Sequence, residues 1–161
     1  MWRKLIVFCL LLPASVQATV WTGVVSRVSD GDTLWLRPAD GSAPRKVRLL
    51  GLDAPELCQA GGAAARDALH KLVAGKAVQV TVNFQDSYGR DLGRLRVDER
   101  DVGAALVSAG HAWSSRWHNS RGPYAVQEAA ARAASLGLFA APAPELPRDF
   151  RKRHGPCQPP R

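Results

Sequence analysis

Between Val20 and Leu52 the chain changes character every few residues, and few folds accommodate that rhythm. Val20 to Val28 is rich in β-branched residues, Thr33 to Arg37 follows, and a Pro38-Ala39-Asp40-Gly41 turn leads into Arg45 to Leu52. Three short strands with turn residues between them form a meander by spacing. The next segment has a different period: Gly62 to Val73 is alanine-rich, with Ala65, Leu69, Leu72 and Val73 at helical spacing and Gly75 as its stop. Val78 to Phe84 alternates again. Leu92 to Val97 and the Asp98-Glu99-Arg100 turn predict a hairpin running into a helix over Val102 to Ala109. A second alanine-rich helix is predicted over Ala125 to Leu136, ended by Gly137. About five strands and two to three helices at this length predict an α+β domain that is mainly β barrel, with an OB-fold the leading architecture.

The two ends read differently from this middle. Arg3 and Lys4 precede an unbroken apolar run from Leu5 to Leu12, and Val16-Gln17-Ala18 is a small-residue cleavage site. That is the layout of a secretory signal peptide, with an apolar core too short to span a bilayer. The expected organisation is therefore a signal peptide at 1–18, a folded domain at 19–140 and a tail at 141–161. The tail carries Pro142, Pro144, Pro147, Pro156, Pro159 and Pro160 among basic residues, and is expected to be extended with little reason to pack. The expected location is secreted or periplasmic, and a monomer is the default for a small secreted hydrolase. Cys9 leaves with the signal, so Cys58 and Cys157 form an even pair in an oxidising compartment and are expected to join. A loop of that length is worth roughly 4–5 kcal/mol in the chain-entropy model. The bridge would also bring the tail near Glu56. Without Arg3 and Lys4 the chain has 20 basic residues against 14 acidic ones. That excess suits a polyanion such as nucleic acid, an anionic surface or an acidic glycan, without choosing among them.

Polar residues gather at three predicted strand ends: Asp30-Gly31-Asp32-Thr33, Arg48 through Asp53-Ala54-Pro55-Glu56, and Asp86-Ser87-Tyr88-Gly89-Arg90. Each alone has an ordinary explanation as a turn, a helix start or a loop. Together they are harder to dismiss. If the first and third strands pair, Asp32 and Asp53 face each other at one rim, where converging carboxylates repel unless a cation lies between them. The nearby donors are all oxygens, which selects a hard ion, Ca²⁺ or Mg²⁺, over zinc. An EF-hand loop does not fit, because Leu34 and Trp35 stand where it needs an oxygen ligand and a glycine. No His-x-x-x-His pair, Cys-x-x-Cys pair or Gly-x-Ser-x-Gly elbow is present.

Two arginines beside a cation and a carboxylate suit a phosphodiester. Guanidinium groups meet phosphate in a two-pronged geometry, a carboxylate can orient or deprotonate an attacking water, and a divalent ion neutralises charge on a non-bridging oxygen. Arg48, Arg90, Glu56, Asp32 and Asp53 would fill those roles.

From Val20 to Phe139 the chain resembles the thermonuclease family, the micrococcal-nuclease-like enzymes. The resemblance is carried by SDGDTLWL, VRLLGLDAPEL, DSYGRDLGRL and DVGAALVSAGHAW, in family order and at family-like spacing. It implies an OB-fold with packed helices, a Ca²⁺ requirement, and cleavage of DNA and RNA by water attack on phosphorus, leaving 3′-phosphate ends. Matched position by position, Arg48, Glu56 and Arg90 correspond to the catalytic trio. Asp32 and Asp53 correspond to direct calcium ligands, Asp30 to a carboxylate acting through water, and Ala54 to a ligand through its backbone carbonyl. Tyr88 matches an aromatic beside the phosphate and base pocket. Ser87 departs from a family lysine that helps bind phosphate. The stretch WSSRWHNS departs where the family type enzyme has tyrosines near the base; there Arg116 and Trp117 are the expected substrate contacts, with Trp113 either stacking on a base or packing. Two rivals belong to other classes. A non-catalytic OB-fold that only binds nucleic acid would keep the barrel, although degenerate copies usually lose the arginines or carboxylates. A basic module for an envelope polyanion or membrane surface would explain the charge and the Arg148 to His154 tail, but not the carboxylates.

Overall fold

The computed structural model describes residues 18–116 and 120–157. Residues 1–17 of the expected signal peptide, and Trp117, lie outside the described residues. The chain forms β1 (Thr19–Val28), β2 (Thr33–Pro38), β3 (Arg45–Leu49) and β4 (Leu52–Asp53). Next come α1 (Gly62–Val73), β5 (Ala77–Gln85), β6 (Asp91–Val97), β7 (Arg100–Asp101) and α2 (Val102–Ser108). They are followed by β8 (Trp113–Ser114), α3 (Ala125–Ala133), a 3-10 turn at Gly137–Ala140, and α4 (Pro147–His154).

Strands β3, β2, β1, β5 and β6 lie side by side in that order, and a parallel pairing of β3 with β6 closes them into a five-stranded OB-type barrel. Closure leaves no free edge along these five strands. The barrel is filled by the inward half of each alternating strand, including Leu34, Leu36, Val47, Val80 and Leu95, all at most 1 % exposed. Ala65, Leu69 and Val73 on α1, with Leu106 and Val107 on α2, extend the same core. The hairpin between β6 and β7 turns on Asp98 and Glu99, both at positive φ.

Several expectations are corrected. The first and third strands do not pair: β1 lies between β2 and β5, and β3 lies between β2 and β6. The third strand ends at Leu49, because the chain turns at Gly51 (φ 88°) and restarts as β4 against β8. A Cβ at Gly51 would stand 2.6 Å from the Pro123 ring, so the turn is also closely packed. The second alanine-rich helix stops at Ala133 rather than Leu136. Ser135 takes a left-handed φ of 50°, and the Leu136 amide closes back on the Ala131 carbonyl at 2.9 Å.

The tail is the largest departure. Far from being extended throughout, it is helical over α4, which brings the helices to four among the described residues, against the two or three expected. Phe150 is 6 % exposed, and Cys157 is disulfide-bonded to Cys58 across a separation of 99 residues. Buried Pro147 and Phe150 dock this basic helix, and the bridge ties down the segment after it. Pro147 sits at the helix start, where its missing N–H is harmless.

Candidate active site

The β2–β3 register sets the site. Thr33 is opposite Arg48, and the Leu49 amide donates to the Asp32 carbonyl at 2.8 Å, so the turn before β2 is locked against the end of β3. Arg48 therefore projects beside Asp32. One guanidinium nitrogen donates to Asp32 Oδ1 at 3.1 Å, the other to Asp53 Oδ1 at 3.0 Å. Asp53 arrives by a separate route, at the end of β4, pinned through its pairing with Trp113. Asp32 and Asp53 thus meet through Arg48 rather than through a pairing of the first and third strands.

Asp32 is only 4 % exposed and well partnered. Oδ1 also accepts from the Thr33 hydroxyl at 2.9 Å, and Oδ2 from the Ala54 amide at 3.2 Å. Ala54 reaches the site here by its N–H. Asp30 accepts from the Asp32 amide at 3.0 Å, which tightens the Asp-Gly-Asp turn. Burial, and then the neighbouring Asp32 charge, push Asp30 up to about 6. Burial and Asp32 likewise raise Asp53 above the ordinary carboxylate value, with Arg48 and Arg151 opposing them. Burial works against the charge on Arg48, but Asp32 and Asp53 outweigh it and hold the guanidinium above its usual value.

Glu56 enters from the loop before α1. Its amide donates to Gln59 Oε1 at 3.1 Å, and its carbonyl accepts from the Gln59 amide at 2.8 Å. Gly62 packs so tightly on this loop that an added Cβ would overlap the Glu56 carbonyl oxygen. Arg90 comes from the opposite side, at the turn into β6. Asp86 accepts from its backbone amide at 3.0 Å and from Nε at 2.7 Å, which aims the side chain. Tyr88 is 83 % exposed, and the Arg90 guanidinium lies 5.4 Å from its ring centroid.

Asp30, Asp32, Arg48, Glu56, Arg90 and Arg151 line one open cleft of about 520 Å³, with Tyr88 and Lys46 also on its wall. Asp53 lines a neighbouring cleft of about 380 Å³ and meets the first through Arg48. Arg116 lies along the neighbouring cleft instead, 3.5 Å from the buried Glu128 carboxylate, and does not line the first. Trp113 is packed rather than available for stacking: it is 4 % exposed, edge-on to Phe139 with centroids 6.0 Å apart. Arg151 is the residue that sequence reasoning missed. It belongs to the segment expected to be solvated, and the signal that pointed to it was indirect, the Cys58–Cys157 pairing that would bring the tail near Glu56.

The donor chemistry fits a hard divalent cation. Asp30, Asp32 and Asp53 supply only oxygens, and burial, then the neighbouring Asp32 charge, raises Asp30 and Asp53, so a cation among them would favour their ionised forms. Among the described residues no three acidic, imidazole or thiol groups already form a cage, and Arg48 is hydrogen-bonded to both Asp32 and Asp53.

A closed five-stranded barrel with paired arginines and clustered carboxylates at one rim is the class of small OB-fold domain suited to handling a phosphodiester. The family model described as staphylococcal nuclease homologue matches residues 46–141, and the chain belongs to that family. An "Uncharacterized endonuclease" of Escherichia coli O157:H7 is 37 % identical over 132 residues, covering 81 % of this chain and 85 % of that protein. "Protein ParB" of Escherichia coli is 34 % identical over 163 residues, 94 % of this chain and 91 % of that protein. The "Probable staphylococcal-like nuclease CAN2" of Oryza sativa subsp. japonica is 37 % identical over 107 residues. There the match covers 66 % of this chain but only 29 % of the plant protein.

Proposed function

We propose that this protein is a nuclease that hydrolyses phosphodiester bonds of DNA and RNA, with calcium as its metal, leaving 3′-phosphate ends. The observation that carries this is the convergence of Arg48, Arg90 and Glu56 on one cleft beside the Asp30, Asp32 and Asp53 carboxylates. Family membership and nuclease-named relatives support the reaction class.

The phosphate enters between Arg48 and Arg90. Asp32 and Asp53 engage two of the five N–H groups of Arg48, and Asp86 holds Arg90, so both cations face the cleft with their orientation fixed before substrate arrives. Glu56 orients a water for attack on phosphorus and takes its proton as the P–O bond to the 5′-oxygen breaks, and that oxygen leaves as a hydroxyl after taking a proton from solvent. Arg48 and Arg90 stabilise the charge that grows on the phosphoryl oxygens, which two-pronged guanidinium groups do better than lysine. When bound, a calcium ion held by Asp32, Asp53 and the Ala54 carbonyl, with Asp30 acting through water, would neutralise charge on a non-bridging oxygen. Tyr88 offers an exposed ring beside the cleft for base or sugar contact. Arg116 and Trp117 remain proposed contacts to more distant nucleotides.

The protein acts outside the cytoplasm, secreted or periplasmic, as a monomer. The Met1 to Ala18 pattern and a disulfide within the fold support export. Among the described residues no helix is long and apolar enough to cross a membrane. End-group analysis of oligonucleotide digests tests the chemistry. Products bearing 3′-phosphate are expected from both DNA and RNA, whereas 5′-phosphate ends would refute the assigned bond cleavage. Binding without cleavage under every metal condition would move the protein to the non-catalytic OB-fold alternative.

A further inference from the structure

A third guanidinium enters the cleft from outside the barrel. Arg151, on α4, donates from one terminal nitrogen to Glu56 Oε1 at 2.5 Å, while its other terminal nitrogen stands 3.7 Å from Asp53 Oδ2. Its surroundings are built to keep it there. Phe150, the preceding residue, is buried, and Arg153 pairs with Glu145 at 2.8 Å at the outer end of the helix. Gln59, which accepts from the Glu56 amide, donates to the Glu145 carbonyl at 2.6 Å, so the Glu56 loop and the approach to α4 are tied directly. The Cys58–Cys157 bridge closes the same unit. It joins the residue two beyond Glu56 to the residue six beyond Arg151, and the Cys58 amide meets Cys157 Sγ at 3.0 Å.

We propose that Arg151 is a positioning residue for Glu56, and that the Cys58–Cys157 disulfide holds the helix that delivers it. The consequence for catalysis rests on the nuclease reading given above. Glu56 is partly exposed on a surface loop, and a glutamate there has several rotamers open to it. Arg151 engages Oε1, which fixes the carboxylate plane and leaves Oε2 to orient water. It also stands between Glu56 and Asp53, easing the repulsion between the two carboxylates. Because α4 is short and its attachment rests on buried Pro147 and Phe150, a few ion pairs and the bridge, reduction of the bridge loosens the contact.

The test compares wild type, Arg151→Ala, Arg151→Lys, Cys157→Ser and the Arg151→Ala/Cys157→Ser double variant on single-stranded DNA with calcium. Arg151→Ala is expected to lower kcat by about 10- to 100-fold with KM little changed, the scale of a small misplacement of a reacting group. Arg151→Lys should recover part of the loss. Cys157→Ser, or dithiothreitol on wild type, should lower kcat in the same direction, and the double variant should be no worse than Arg151→Ala alone. Higher activity in Arg151→Ala would mean that the arginine blocks Glu56, and would overturn the proposal. So would unchanged kcat, or fully additive losses in the double variant. A readout independent of cleavage is the thermal-unfolding coupling between Arg151→Ala and Glu56→Gln, expected to be present in oxidised protein and to fall in Cys157→Ser. Absence of coupling overturns the contact itself. Coupling in a wild-type protein that cleaves nothing would instead locate the failure in the nuclease reading, and the catalytic role would fall with it.

Discussion

Thr33 stands directly opposite Arg48 across β2 and β3, and this single register position brings the Arg48 guanidinium against the Asp32 carboxylate one residue earlier. A slip by one residue would turn Arg48 into the barrel and Val47 out of it, exchanging a charge for a fully buried valine. The hydrophobic alternation that builds the barrel is thus also what aims the arginine.

Arg48 serves two carboxylates through separate nitrogens of one planar guanidinium, a fixed two-pronged geometry that a lysine ammonium does not reproduce. Arg48→Lys is expected to lower cleavage by about 10²–10³-fold, the scale for losing a preorganised charge stabiliser. It should also lower stability by about 1–3 kcal/mol, because Asp32 or Asp53 is left without its partner. Cleavage rates and urea unfolding measured on the same preparations check both effects. A variant with wild-type rate would remove Arg48 from the reaction.

Asp30 gives a pH signature to the metal-free protein. Its carboxyl ordinarily titrates near 3.8 and is raised to about 6 in the fold, so the folded chain keeps this proton after the unfolded chain has lost it. Stability from this group is therefore complete below pH 3.8 and falls as pH rises through 6. Asp30→Asn removes that slope. In chelator it should stabilise the protein at pH 7 by about 1–3 kcal/mol, with the advantage shrinking towards pH 4. Denaturant unfolding at the two pH values measures it, and an equal difference at both would contradict the assignment.

Much of this was readable in the chain, for definable reasons. Strong alternation located the barrel strands, and periodic alanine and leucine located α1, because those patterns report burial that local geometry enforces. Asp30, Asp32, Arg48, Glu56 and Arg90 sit at strand ends and loops next to such patterns, and they line one cleft. What failed was non-local. Nothing near Leu50 reveals that Gly51 ends a strand against Pro123, and the place of Asp53 beside Arg48 depends on the pairing of β4 with the distant β8. The tail misled because proline and basic residues normally signal solvation, whereas here Phe150 and a bridge 99 residues long in sequence dock it.

Gly62 should prove as important as a charged residue. Its lack of a side chain lets α1 start against the Glu56 carbonyl, so Gly62→Ala must displace the Glu56 loop. The expected result is loss of about 1–3 kcal/mol of stability, the usual range for overpacking, together with lower kcat. Cleavage kinetics and a thermal melt suffice, and unchanged kcat would show that the loop relaxes without moving Glu56.

Removing Phe150 tests whether α4 is part of the folded unit. Phe150→Ala should lower stability by about 3–5 kcal/mol if the ring is as well packed as its burial indicates. Limited proteolysis of oxidised protein should then cut near α4 in the variant and spare the wild type. Equal resistance would mean that the bridge alone secures the helix.

Digestion of single-stranded DNA by wild type and Glu56→Gln, each with Ca²⁺, with Mg²⁺ and with chelator, shows whether Glu56 and calcium carry the cleavage. Calcium-dependent cleavage by the wild type, reduced by about 10²–10⁴-fold in a folded Glu56→Gln protein, is the predicted result. Cleavage that persists in chelator would remove calcium from the reaction, and cleavage that survives the substitution would remove Glu56.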